Sequence, residues 1–184
     1  MITYILLGLL AIALAFVWAT YNRLIQMRFR MREALSDIDV QSKRRYDLIP
    51  NLIETVKGYA KQESSVLEGV TKARTSAMSS SGNQLDKAGE ENMLSGALKT
   101  LFAVSENYPD LKSNTNFLHL QQELVDTENK MQASRRFYNS TVRDLNTQIE
   151  VFPANLIADM FGFHPEKFFE VSSEVEKEPV KVKF

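Results

Sequence analysis

The side chains that most often do chemistry are scarce here, because the chain has no cysteine and only two histidines. With no thiol there is no cysteine nucleophile and no disulfide. Gly-rich phosphate loops, a Gly-x-Ser-x-Gly elbow and a His-Glu-x-x-His zinc pair are all missing. Bundle di-iron sites use Glu-x-x-His twice, and neither histidine has a glutamate three residues before it. His119 and Glu123 stand four apart and could share a helix face, but a single pair is an incomplete ligand set for most metals. His164, in Gly162-Phe163-His164-Pro165, reads as part of a turn after a helix. Asn139-Ser140-Thr141 matches a glycosylation acceptor by chance. The expectation is a protein that is not an enzyme and takes no metal or cofactor.

The informative polar residues crowd onto otherwise apolar helices. Asp39, Arg44, Arg45, Asp47, Asn51 and Glu54 form one group, and Glu128, Asn129, Arg135, Tyr138 and Asn139 another. If the two segments run antiparallel, the groups face each other. Arg45 falls on the apolar stripe itself, where an unpaired guanidinium would be very costly. A carboxylate such as Asp47, Glu54 or Glu128 should therefore pair with it. The groups read either as a polar layer fixing the register of long helices or as a partner-binding site.

The elements that must position these residues begin with a run from Ile2 to Thr20 that carries no charge. As a helix those nineteen residues rise about 28 Å, close to the roughly 30 Å core of a bilayer. Tyr4, Trp18 and Tyr21 stand where aromatics favour the headgroup level. A cleaved signal peptide fits less well, since the apolar run is too long and no Lys or Arg precedes it. Arg23, Arg28, Arg30 and Arg32 follow at once. The positive-inside rule puts the rest of the chain in the cytoplasm, and the same arginines can contact anionic lipid.

Beyond the anchor the apolar pattern narrows to one stripe: Leu24, Arg28, Met31, Leu35, Ile38, Ser42, Arg45, Ile49, Leu52, Val56 and Tyr59 alternate spacings of four and three. The spacing predicts a helix to about Ala60, kinked at Pro50. A capping box, Ser65-Val66-Leu67-Glu68, opens a second helix that ends in a loop at Ser79–Asn83. A third carries Leu94, Leu98, Leu101, Phe102 and Tyr108 and stops at Pro109. The fourth runs from Phe117 through Met131, Val142 and Leu145 to Phe152. Pro153 then starts a short helix with Leu156, Ile157, Met160 and Phe161, closed by Gly162.

The fold class this predicts is all-α: an N-terminal transmembrane helix, residues 1–21, continuing into a long antiparallel four-helix-bundle-like body over 22–171. A charged, flexible tail occupies 172–184. The net charge of −1 argues against a nucleic-acid binder with a broad basic face.

The run from Asp39 to Ala60, DVQSKRRYDLIPNLIETVKGYA, resembles the signature of the LemA family of bacterial membrane proteins. A second block matches at Glu128-Asn129, Arg135, Tyr138-Asn139, Val142, Asn146, Ile149, Phe152-Pro153 and Gly162-Phe163, so the resemblance reaches from the anchor to Phe169. Leu145 departs from it, standing where an aromatic is expected. The resemblance implies a single span, a helical body in the cytoplasm and no established enzymatic activity. The expected role is a scaffold at the bacterial inner membrane, with membrane lipid and a protein partner or a second copy as its contacts. The alternative is a lipid-sensing or membrane-remodelling module that uses the arginine collar and the apolar helix at 153–163.

Overall fold

The computed structural model describes residues 1–80, 85 and 87–169. The charged tail at 172–184 and most of the loop at Ser79–Asn83 lie outside the described residues. Among the described residues there are six helices and no strand. They are α1 (Ile2–Lys57), α2 (Ser64–Ser79), α3 (Ala88–Ser105), α4 (Pro109–Lys112), α5 (Thr115–Glu150) and α6 (Ala154–Met160).

The chain forms two compact units, and both α1 and α5 contribute to each. One unit takes α1 up to Ser36 and residues 134–168; the other takes residues 37–133.

In the unit built from 37–133, one core joins all the helices. Ile49, Leu52 and Val56 from α1 meet Leu67, Val70 and Ala77 from α2, Leu94, Leu98 and Leu101 from α3, Leu111 from α4, and Phe117 and Leu124 from α5. Within this unit α1 and α5 are antiparallel. Tyr59, just past the end of α1, meets Asn114 at the head of α5, while Arg44, further back on α1, reaches Glu123, further along α5.

The stripe on α1 is buried or half-buried at each position expected except Tyr59, which lies past the helix end and is exposed; Ala60 is buried in its place. Backbone amides of Tyr59 and Ala60 both close on the Val56 carbonyl and end the helix.

Pro50 neither ends nor interrupts α1. Lacking an N–H, it leaves the carbonyl four residues back, that of Tyr46, without its usual helical partner. The Nε of Arg74, on α2, donates to that carbonyl at 2.8 Å. The proline thus creates an acceptor that ties α2 to α1. Arg74→Met should cost about 1–3 kcal/mol by leaving that carbonyl unpaired. In a Pro50→Ala background, where the helix satisfies the carbonyl itself, the same change should cost clearly less. Urea unfolding of the four variants measures the difference.

Three boundaries differ from expectation. The Ser65–Glu68 capping box does not form, because α2 starts two residues earlier than that box requires, at Ser64, and puts Ser65 inside the first turn. Its N-cap is Glu63, whose carboxylate accepts the Tyr108 hydroxyl at 2.9 Å instead of capping the helix. The third helix ends at Ser105, and Pro109 opens the separate α4. Pro153 is the N-cap of α6, not its first helical residue, and Phe152, past the end of α5, is 79% exposed.

At the head of α5, Asn114 is a cap that the sequence reading passed over. Its Oδ1 accepts the Phe117 N–H at 3.0 Å and its Nδ2 donates to the Tyr59 hydroxyl at 2.9 Å. Leu145 is buried, so the departure from the family pattern is absorbed by packing.

In the other unit, Leu24, Met31 and Ala34 of α1 are buried, as are Tyr138, Val142, Leu145 and Ile149 of α5 and Ala154, Ile157 and Ala158 of α6. Asn146 secures the chain after α6: its Nδ2 donates to the Glu166 carbonyl and its Oδ1 accepts the Glu166 N–H, at 2.9 and 2.8 Å.

Candidate functional site

Arg45 lies at the centre of the buried polar group in the 37–133 unit, its side chain 4% exposed. Its Nη1 is 3.3 Å from Oε2 of Glu91 on α3 and 3.1 Å from Oε2 of Glu128 on α5. The Glu128 contact is an ion pair without hydrogen-bond geometry. Nη2 donates to Ser95 Oγ at 2.9 Å. The neighbouring Tyr46 donates its phenol to the other oxygen of Glu91. Three helices thus meet at one guanidinium.

Of the expected partners, Glu128 is the one that reaches Arg45; Asp47 and Glu54 do not. At about 100° per residue, Asp47 is rotated roughly 200° and Glu54 roughly 180° from Arg45, on the far side of the helix. Both are exposed, and Glu54 pairs with Lys57 at 2.9 Å. Glu91, which sequence reading missed, carries a signal: it sits on the stripe 88-91-94-98-101-105 as a charge at an apolar position, as Arg45 sits on the stripe of α1.

The other residues of the expected layer disperse. Asp39, Asn51 and Asn129 are exposed. Arg44 is half-exposed and pairs with Glu123, a surface contact of about 0–1 kcal/mol. That pair also engages the carboxylate proposed to stand beside His119, which is itself exposed. Arg135 and Tyr138 are buried and Asn139 is half-buried, all in the unit formed with 134–168. There the Tyr138 hydroxyl donates to the Lys167 carbonyl at 2.9 Å.

Burial, and then the hydrogen bond to the Glu91 carboxylate, push the Tyr46 phenol far above the usual tyrosine value of about 10. A group whose pKa is raised by folding adds stability that is complete below its unfolded value and fades as pH climbs past it. The protein should therefore lose stability progressively above about pH 10. Tyr108, through Glu63, and Tyr138, through burial, shift the same way. The part owed to Tyr46 is thus the difference between wild type and Tyr46→Phe in urea midpoints measured on either side of pH 10. Tyr46→Phe should flatten the alkaline loss.

Chemically, the Arg45 group is satisfied from within: Arg45 and Glu91 face each other in the core, and the half-buried Glu128 closes the group toward the surface. Among the described residues no three His, Asp or Glu side chains gather as metal ligands.

The unit built from residues 1–36 and 134–168 has a different character. Large apolar side chains from Met1 to Leu14 are all more than half exposed, and none of the apolar window is buried within the protein. Arg23, Arg30 and Arg32 are exposed and Arg28 is half-buried. The Arg28 guanidinium stacks 4.8 Å from the Phe163 ring, and that of Arg32 lies 5.9 Å from Phe29.

The family model described as the LemA family matches residues 34–184. The chain belongs to the LemA family. Magnetosome protein MamQ 2 of Paramagnetospirillum magneticum is 27% identical over 175 residues, covering 82% of this chain and 64% of that protein. Protein LemA of Metamycoplasma hominis is 27% identical over 162 residues, covering 85% and 71%. Magnetosome protein MamQ of Magnetospirillum gryphiswaldense is 25% identical over 174 residues, covering 81% and 64%. The chain thus spans about 64% of the length of the MamQ relatives. The match from residue 34 onward takes in Arg45, Glu91 and Glu128, so the buried charge group belongs to the LemA region of the chain and the exposed apolar run lies before it. The chain is therefore a membrane-associated helical LemA-family protein, and none of these names denotes an enzyme.

Proposed function

We propose that the protein is a non-enzymatic scaffold anchored in the bacterial inner membrane, with its helical body on the cytoplasmic side recruiting a protein partner or further copies of itself. The observation that carries this reading is the unbroken α1, in which exposed apolar side chains before Thr20 give way, in the same helix, to a buried stripe that begins at Leu24. A segment apolar on all sides has its natural solvent in lipid, and a one-sided stripe has it in a packed body. The arginines at 23, 28, 30 and 32 support the cytoplasmic orientation. Measured along the helix axis from Thr20, Arg23 stands about 4.5 Å away and Arg32 about 18 Å. With a screening length near 10 Å, the inner arginines are the ones that would feel anionic headgroups most.

The closed Arg45 group supports a structural role for the core and leaves recruitment to exposed side chains. Leu118 and Val125 are nearly half-exposed and seven apart on α5, so they share a face. In-cell crosslinking with mass spectrometry tests the reading: Leu118→Ala and Val125→Ala, with other exposed positions, should remove specific crosslinked neighbours while the protein stays in the membrane. An unchanged set of neighbours across all such variants would refute the scaffold.

A further inference from the structure

The exposed apolar surface does not end with the anchor. In the same unit, Phe152 is 79%, Leu156 61%, Met160 63% and Phe161 48% exposed. Leu156 and Met160, four apart on α6, share one face, while Ala154, Ile157 and Ala158 are buried. Asn155 and Asp159, also four apart, flank the apolar pair on one side. The helix is therefore amphipathic in an unusual sense, packing one side inward and presenting a second apolar side outward.

What places this surface is the turn that ends α6. Gly162, at φ +68°, lets the Phe163 N–H reach the Ala158 carbonyl at 2.9 Å and its own N–H reach that of Asp159 at 3.2 Å. This glycine-closed pair of bonds caps the helix and reverses the chain. The reversal sets the Phe161 and Phe163 rings 4.8 and 6.0 Å from the ring of Tyr21. Tyr21 is the residue next after the uncharged run, at the level where aromatic side chains meet headgroups. Phe161 consequently stands at the same depth. Leu156, five residues before it, lies only about 7.5 Å further along α6. A seven-residue helix of about 10 Å cannot leave that neighbourhood.

The geometry points to a second membrane contact: Phe152, Leu156, Met160 and Phe161 dip into the headgroup–acyl boundary of the bilayer that the anchor crosses. The occupant is lipid because the patch is continuous, through Tyr21, with the exposed apolar surface of α1. Interfacial apolar faces sink about 5–10 Å, which suits side chains already held at that level. Arg23, exposed two residues past Tyr21, offers a cation to the lipid phosphates beside the patch. The contact would fix how the membrane-proximal unit meets the bilayer, which a lone span leaves free to swivel. This inference rests on reading residues 2–20 as the span.

The test uses the full chain in vesicles of phosphatidylcholine and phosphatidylglycerol. With no native cysteine, Leu156→Cys, Met160→Cys, Leu10→Cys and the exposed Asn107→Cys can each carry one environment-sensitive fluorophore. Nitroxides at shallow or deep positions on the acyl chains serve as quenchers. Labels at 156 and 160 should emit blue-shifted relative to the label at 107 and lose most of their emission to the shallow nitroxide. The label at 10 should be quenched chiefly by the deep one. Water-like, unquenched emission at 156 and 160 while position 10 is quenched overturns the contact and spares the span. Blue-shifted emission that no lipid nitroxide quenches also overturns it, since protein then covers the patch. An unquenched label at position 10 removes the span and the contact together.

Discussion

Arg45→Met should destabilise the body by about 3–5 kcal/mol, the usual result of stripping one partner from a buried ion pair. Glu91 has a side chain 1% exposed and would keep its charge in the core with Tyr46 as its remaining donor. Solvent cannot reach it to compensate. The companion change Glu91→Leu should recover much of that loss when combined with Arg45→Met, because two apolar side chains of similar volume can replace a buried pair at little net cost. Urea unfolding of the full chain in detergent, followed by circular dichroism, measures all three. If the double variant were as unstable as the singles, the network would contribute something beyond its own pairing. Natural domains hold only about 5–15 kcal/mol in reserve, so Arg45→Met alone should take a large share.

The second large effect is expected at Phe117. Its side chain is 1% exposed, and its ring meets that of Phe102 edge-on at 6.3 Å. Phe117→Ala removes buried area and leaves a cavity, at about 3–5 kcal/mol. The backbone N–H of the same residue is the one capped by Asn114. Asn114→Ala should cost only about 1 kcal/mol, so packing outweighs capping at this corner. Phe117→Leu should fall between them. A loss under about 1 kcal/mol for Phe117→Ala would mean that the corner collapses to fill the space.

Periodicity alone was enough to find the long helices. The stripe 24–56 and the stripe 117–149 are buried or half-buried where their spacing puts them, because a helix that packs lengthwise repeats its apolar contacts every three or four residues. Boundaries were harder to read. Ser65 and Glu68 have the residue types of a capping box, but capping depends on where the backbone turns, and α2 turns two residues earlier.

The polar residues divide in the same way. A charge on a stripe announces that it needs a partner, and Arg45 was recognised so. Its partner Glu91 bears the same mark on the weaker stripe of α3, which glycines at 89 and 96 obscure. Asp47 and Glu54 are near Arg45 in sequence, yet helical rotation turns them away. Arg74 could not have been found locally, since it answers a carbonyl that Pro50 frees on another helix. The apolar helix at 153–163 is legible in the sequence as a lipid-facing alternative, but which of its side chains stay exposed is not, and only the turn at Gly162 brings Phe161 beside Tyr21.

For the proposed anchored scaffold, α1 must be one helix through lipid and body alike. Hydrogen–deuterium exchange of the full chain in phospholipid nanodiscs tests this directly. Slow exchange should run without a break from the apolar segment through Tyr21 and Arg32 to Val56, first because lipid excludes water and then because the body packs over the helix. A fast-exchanging interval between Thr20 and Arg32, or protein isolated from membranes without its first twenty residues, would contradict it.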